Sequence, residues 1–241
     1  MSERPTVLLL PLEGRLDDIS GRLLLVHYRG RITPSLADAE RLLRSEAPPI
    51  RVVVISSEPG VVDLALSLRK LREAATGPEL RFLAIGARPS DSVRQKLRNA
   101  GVDWALYDAF SDTELRFLLN QATHDGGKGE RREELRIPTT LNAKVKSAMG
   151  TKIAMVYNLS STGSYLETLR PSQAGIKVTV EIPLPAGTLE LAATVMSTNV
   201  TGNLRRENLP RGMGVRFDNL TPTAEAALLQ YIEDRTAAFR P

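Results

Sequence analysis

The sequence predicts two domains of different class: a parallel α/β domain, then a six-stranded antiparallel β-barrel with a C-terminal helix. Three observations predict it. Residues 6–122 alternate short, almost wholly apolar runs with helical patterns, the order of a parallel sheet joined by crossover helices. Residues 141–217 instead carry short segments of period two, separated by Gly, Pro, Asn and Ser. Between them stands His124-Asp125-Gly126-Gly127-Lys128-Gly129-Glu130, which lacks an apolar anchor and reads as a flexible hinge. The expected organisation is therefore 1–123 for the α/β domain, 124–137 for a Gly/Arg linker and 138–241 for the barrel domain.

In the first domain, residues 7–12, 52–55, 80–85 and 104–107 are strands of buried type, their continuous apolar character suiting a sheet covered on both faces. Residues 17–28 form a helix closed by Gly30, and 31–33 a short strand. A helix over 36–45 precedes the strand region 51–57. Further helices cover 61–75, 90–100 and 111–122. The last has Ser111 as N-cap with Asp112 and Glu114 in its first turn, where the helix dipole favours negative charge. Leu115, Leu118 and Leu119 then fall on one face.

The second domain has strands over 141–145, 153–157, 165–169, 178–182, 189–195 and 213–217. Pro183, Pro185 and Gly187 end one strand and turn the chain into the next. Thr221 caps the final helix, Pro222 takes its first position, and Leu228, Tyr231, Ile232 and Phe239 form its apolar stripe.

Composition excludes several classes. The 241 residues are 42% hydrophobic and 25% charged, in the range of globular proteins. A net charge of +4, spread along the chain, and 5% aromatics suit neither a nucleic-acid footprint nor a base-stacking platform. There is no cysteine for a disulfide, thiolate metal site or thiol nucleophile, and the two histidines, His27 and His124, are far apart in sequence. No apolar run reaches the length needed to span a bilayer, and Glu3 before a short apolar strand is not a signal-peptide layout. A cytoplasmic protein without membrane insertion is expected. No Ser-His-Asp grouping, Gly-rich phosphate loop or close carboxylate pair stands in a recognisable motif, so the chain reads as a binding module and not an enzyme.

Two short strings carry the functional signal. Arg131-Arg132-Glu133-Glu134-Leu135-Arg136 supplies guanidinium groups, planar forks of donors that match phosphate or the O6/N7 edge of guanine. Asn158-Leu159-Ser160-Ser161-Thr162-Gly163 supplies an amide, hydroxyls and a position where backbone can be approached closely. Each alone has an ordinary reading, the first as a solvated basic face, the second as a strand end whose Asn and Ser bond their own backbone. In this order, and leading into an all-β pattern, they are specific. RxxxR (Arg132 to Arg136) followed by [D/N]xSxxG (Asn158, Ser160, Gly163) resembles the PilZ domain, a bacterial receptor for cyclic di-GMP. The resemblance covers residues 128–235 and implies the same six-stranded barrel and C-terminal helix.

It also implies a ligand set. Arg132 and Arg136 would grip phosphate or the Hoogsteen edge of guanine as the linker wraps over the barrel. Asn158 would accept from the guanine N1/N2 donors, less strongly than an Asp; Ser160 would bond phosphate or a base edge, and Gly163 would keep the strand surface open. Arg131 could stack on a second guanine, making a stacked ligand dimer plausible, or remain a rim charge near Glu134. No cofactor or metal is expected beside cyclic di-GMP.

The first domain resembles a response-regulator receiver, a flavodoxin-like fold, in layout but not in chemistry. Ser56-Ser57 stands where the phosphoacceptor Asp belongs, and Pro11, Leu12 and Glu13 where an acidic pair would hold Mg²⁺. Gly86-Ala87 replaces the hydroxyl residue, and Asp108-Ala109-Phe110 contains no Lys. A pseudo-receiver used for docking or dimerisation is expected. The whole reads as an effector that converts cyclic di-GMP binding into a domain rearrangement and protein–protein signalling, in motility, polarity or surface behaviour. Its protein partner would dock on the pseudo-receiver or the barrel, and a homodimer is compatible. The alternative is a PilZ-fold adaptor that no longer binds the ligand; a DNA-binding regulator lacks any helix-turn-helix.

Overall fold

The computed structural model describes residues 4–14, 16, 19–77, 79–123, 135–202 and 208–241. The chain divides into two compact units, Met1–His124 with Ala238–Pro241, and Asp125–Ala237.

The first unit is a five-stranded parallel sheet in the order β2-β1-β3-β4-β5. Its strands are β1 (Thr6–Leu10), β2 (Arg29–Ile32), β3 (Val52–Ser56), β4 (Arg81–Gly86) and β5 (Trp104–Tyr107). Its helices are α1 (Ser20–Leu25), α2 (Leu36–Ser45), α3 (Leu64–Ala74), α4 (Asp91–Asn99) and α5 (Asp112–Thr123). This is the flavodoxin-like, receiver-like order. Every residue of β1 and β3 is buried, because helices cover both faces of a doubly wound sheet. Leu8, Leu10, Val53, Ile55 and Phe82 meet Leu68, Leu71 and Leu97 in one core.

Capping side chains set the helix starts. Ser35, Asp63 and Ser90 each accept from a backbone N–H in the first turn of α2, α3 and α4. At α5 the cap is reciprocal. Ser111 Oγ accepts from the Glu114 N–H at 3.2 Å, while the Glu114 carboxylate accepts from the Ser111 N–H at 2.6 Å.

The expected helix over 17–28 is shorter, and Gly30 does not close it. α1 ends at Leu25, and His27, two residues on, takes φ 65°; the Tyr28 N–H bonds Leu23 O at 2.8 Å and the His27 N–H bonds Leu24 O at 3.2 Å. These paired bonds satisfy the orphan carbonyls of the last turn. Gly30 lies inside β2, where a Cβ would sit 2.9 Å from Leu23 Cδ1, so it serves the close packing of strand on helix. β2 is an edge strand, and Arg29 and Arg31 on it both reach Glu46, the charged dressing of a protected edge.

The second unit contains β6 (Ile137–Pro138), β7 (Asn142–Ser147), β8 (Gly150–Leu159), β9 (Gly163–Glu167), β10 (Lys177–Leu184), β11 (Gly187–Asn199), β12 (Gly212–Phe217) and α6 (Pro222–Ala238). β8 pairs with both β7 and β9, so the six strands β7–β12 close into a barrel. β6 pairs with the far end of β8 and continues the line of β7. Val145, Val156, Leu166, Val180, Val195 and Val215 point inward and meet Leu228 and Ile232 of α6. Closure removes the free edges that a sheet of this size would otherwise expose.

Pro183 does not end its strand. β10 runs through it to Leu184, and the turn comes after, with Leu184 opposite Gly187. β7 reaches only Thr179–Glu181, so Pro183 lies on a stretch of edge where a missing N–H is tolerated. Phe239, expected on the helical stripe, lies past the end of α6 and groups with the first unit. Among the described residues no helix is long and apolar enough to cross a membrane.

Candidate ligand site on the barrel

The strand motif sits where β8 breaks its alternation. The β8–β9 register shifts between Val156 and Asn158, so Tyr157 is the extra residue of a bulge. A bulge places successive side chains on one face and re-aims the strand. Val156 and Leu159 belong to the barrel core, while Tyr157 and Asn158 lie between them. Tyr157 packs edge-on against Tyr165, ring centroids 5.8 Å apart. The Tyr165 hydroxyl donates to Pro210 O at 2.6 Å. Burial, reinforced by the Glu167 carboxylate, pushes that phenol well above its ordinary pKa and keeps it a neutral donor.

Arg136 meets Asn158. Its Nη1 donates to Asn158 Oδ1 at 3.4 Å, at the point where β6 pairs Pro138 with Asn158. Arg131 and Arg132 lie outside the described residues. Asn158 is only 7% exposed, and its main-chain oxygen accepts from Ser164 Oγ at 2.8 Å.

Ser160 and Gly163 have barrel duties of their own. Ser160 is fully buried; its N–H donates to Gly163 O at 2.8 Å and its Oγ to the same oxygen at 3.1 Å, closing the β8–β9 turn. Gly163 is squeezed against β12: a Cβ there would run into the Val215 carbonyl oxygen and lie 3.4 Å from Arg216 Cα. Thr139, buried and unflagged by its sequence context, holds the bend from β6 to β7 by donating to Val156 O and accepting from the Leu141 N–H at 3.3 Å.

The corresponding corner of the first unit is packed shut. Ser56 and Ser57 are both buried at the end of β3. The Ser57 hydroxyl donates to Ala87 O at 2.8 Å, and Ser56 Oγ accepts from the Glu58 N–H at 3.2 Å. Gly14 approaches so closely that a Cβ on it would lie 2.7 Å from Ser56 Oγ. Past β5, Asp108 accepts from the Arg88 N–H at 3.0 Å, and Phe110 lies under the Arg22 guanidinium at 4.1 Å. Among the described residues no group of three His, Cys, Asp or Glu side chains could hold a metal ion.

Comparison with known proteins separates the same two halves. No curated protein matches the chain. Among solved structures, the PilZ domain of YcgR from Escherichia coli, determined with c-di-GMP, is 24% identical over 45% of this chain and 93% of that one, with a TM-score of 0.37. The Bacillus subtilis inhibitor of motility (MotI/DgrA) is 21% identical, covering 45% of this chain and 52% of its own, with a TM-score of 0.38. The receiver domain of the sensor histidine kinase PA1611 from Pseudomonas aeruginosa PAO1 is 19% identical over 49% of this chain and 96% of that domain, with a TM-score of 0.40. The family model "PilZ domain" matches residues 130–234, the stretch that holds Arg136, the bulged strand and the closed barrel. The C-terminal half of the chain is thus a PilZ domain, preceded by a receiver-like α/β domain.

Proposed function

We propose that the chain is a cyclic di-GMP effector without catalytic activity, in which ligand binding at the barrel changes the arrangement of the two domains and so the surface offered to a protein partner. The observation that carries this is the meeting of Arg136 with Asn158, which joins the two halves of the PilZ motif on one side of β8. A guanidinium there offers a fork to phosphate or to the guanine O6/N7 edge, and the buried Asn158 amide beside it offers both donor and acceptor. Arg132, Arg136, Asn158, Ser160 and Gly163 form the ligand set, with Arg131 free to stack on a second nucleotide. Residues 124–137 act as the linker between domains 1–123 and 138–241, and binding clamps them. The process served is motility, polarity or surface behaviour, in the cytoplasm, through a protein partner and with neither nucleic acid nor membrane insertion involved.

A second reading is favoured by one observation. Ser160 and Gly163 are each required by the barrel itself, so an adaptor that had lost the ligand would still carry them. Calorimetric titration of the full chain with cyclic di-GMP decides between the two. Saturable binding, abolished or greatly weakened in the Arg132→Ala, Arg136→Ala double variant, supports the effector; no heat at high ligand concentration supports the adaptor.

A further inference from the structure

The strand register carries the motif further round the barrel than the motif residues themselves. Ser160 bonds Gly163; Gly163 stands opposite Arg216 on β12, Arg216 opposite Thr194 on β11, and Thr194 opposite Lys177 on β10. Directly opposed residues share a face of the sheet. Here it is the outer face, since the flanking Val215 and Phe217, Ala193 and Val195, and Val178 belong to the core. Arg216, Thr194 and Lys177 line an open groove of about 470 Å³, bounded also by Phe217, Asp218 and Asn219.

The cations of this row are barely engaged. Arg216 has a side chain 59% exposed and only a loose ion pair, Nη2 to Asp218 Oδ1 at 3.8 Å. Among the described residues neither Arg216 nor Lys177 makes a side-chain hydrogen bond. Asp218, the one carboxylate among the described residues that line the groove, already accepts from Thr194 Oγ1 at 2.7 Å. The neighbouring Lys146, in contrast, is committed to Glu181.

Spacing then assigns the roles. Adjacent strands lie about 4.8 Å apart, and Arg216 is one strand from Gly163. Lys177, on β10, stands three strands from β9 in the six-stranded ring and so on the opposite side of the barrel from Gly163; it bounds the groove at Arg216 and not β9. Arg136 reaches Asn158 on β8 and Arg216 projects from β12, so guanidinium groups stand on either side of β9. A cyclic dinucleotide carries two phosphates. From this geometry we infer that Arg216 is a further ligand-binding residue, taking a phosphate of the cyclic dinucleotide from the side of β9 opposite Arg136, with Thr194 beside it in the same groove.

The inference rests on the reading of the barrel as a cyclic di-GMP site, and the test separates the two. Calorimetry with cyclic di-GMP is run on the wild-type full chain and on Arg216→Ala, Arg216→Lys and Lys144→Ala, the last removing an exposed positive charge elsewhere on the barrel. Loss of a charge-assisted contact should weaken binding about tenfold in Arg216→Ala. Arg216→Lys should recover part of the loss by keeping the charge without the fork, and it stands in for the alanine variant if thermal melting shows that variant unfolded. Lys144→Ala should stay within about twofold of wild type, as expected of a screened distant charge. If Arg216→Ala or its stand-in binds as the Lys144→Ala control does, Arg216 is no ligand residue, although the site reading stands. No binding by the wild-type chain overturns both.

Discussion

Arg136 Nη1 donates to Asn158 Oδ1 at 3.4 Å, which ties the last residue of the arginine string to the first residue of the strand motif before any ligand arrives. The amide oxygen is therefore pointed by the arginine, and on the proposed reading removal of Arg136 would cost both a ligand contact and the aim of its neighbour. Arg132→Ala or Arg136→Ala should each weaken cyclic di-GMP binding by about 2–3 kcal/mol, roughly 30- to 150-fold, as measured by calorimetry. Tight binding retained in the double variant would remove the arginine string from the site.

Ser160 and Gly163 should behave as fold residues even without ligand. Ser160→Ala loses one of two donors to Gly163 O and should cost about 1 kcal/mol, some 4–8 °C in the melting temperature of a domain this size. Gly163→Ala forces the β9–β12 backbones apart and should cost more, about 1–3 kcal/mol. Thermal melts of the unliganded variants check both. A melting temperature unchanged in Ser160→Ala would assign that hydroxyl to the ligand alone.

The Lys146–Glu181 ion pair between β7 and β10 predicts a pH dependence. The hydrogen bond and positive charge of Lys146, with Lys144 adding to them, hold the Glu181 pKa below its ordinary value; the hydrogen bond that Lys146 donates to Glu181 raises the lysine's own pKa. A lowered carboxylate pKa stabilises the fold above the unfolded value of about 4.3 and loses that contribution as pH falls through the folded value. The raised lysine pKa acts oppositely, its contribution being complete below about 10.4 and lost above it. The melting-temperature difference between wild type and Glu181→Gln should be level from about pH 6 to about pH 8 and shrink as pH falls below the ordinary carboxylate value of about 4.3. A difference that grows on acidification would contradict the pairing.

The receiver-like domain should not accept a phosphoryl group. Ser57 spends its hydroxyl proton on Ala87 O, and Ser56 is buried beneath Gly14. Treatment of the full chain with acetyl phosphate and Mg²⁺ followed by intact mass measurement should show no adduct; a stable adduct mapping to residues 4–123 would restore signalling chemistry to this half.

Ligand binding should be visible in the segment between the domains. Amide hydrogen exchange over residues 124–137 should slow at saturating cyclic di-GMP as Arg131, Arg132 and Arg136 engage the barrel face. If Arg131 stacks on a second nucleotide, calorimetry should give two ligands per barrel, falling to one in Arg131→Ala. Exchange rates unchanged by ligand would leave the barrel a passive docking site.

The sequence was most legible where local signals agreed. The helix expected over 36–45 is α2 from Leu36 to Ser45, and the buried run from Trp104 to Tyr107 is β5. It was least legible where one residue acts against its type. His27 takes a left-handed conformation usually left to glycine, so the end of α1 was displaced to Gly30. Tyr157 breaks period two at a bulge, and a second shift between Val195 and Ser197 lets β11 run past the expected end at Val195 to Asn199. In the candidate site, the motif resemblance singles out Asn158, and the structure sets it beside Arg136. The bond of Ser160 to Gly163 O is the ordinary local reading of the string, whereas the duty of Gly163 is not legible, because the Val215 carbonyl that confines it lies on β12, far along the chain.

The squeeze at Gly163 has an evolutionary consequence. Selection for a closed barrel is enough to keep this glycine, and with it the buried Ser160, in a descendant that never meets a nucleotide. Two of the three signature positions on the strand are thus fossils in waiting: their survival in a related chain reports folding, whether or not signalling survives. Arg136 meets the strand motif through the Asn158 side chain and not through a carbonyl of the closing strand, so drift in a chain that has abandoned its messenger should erase it before Gly163.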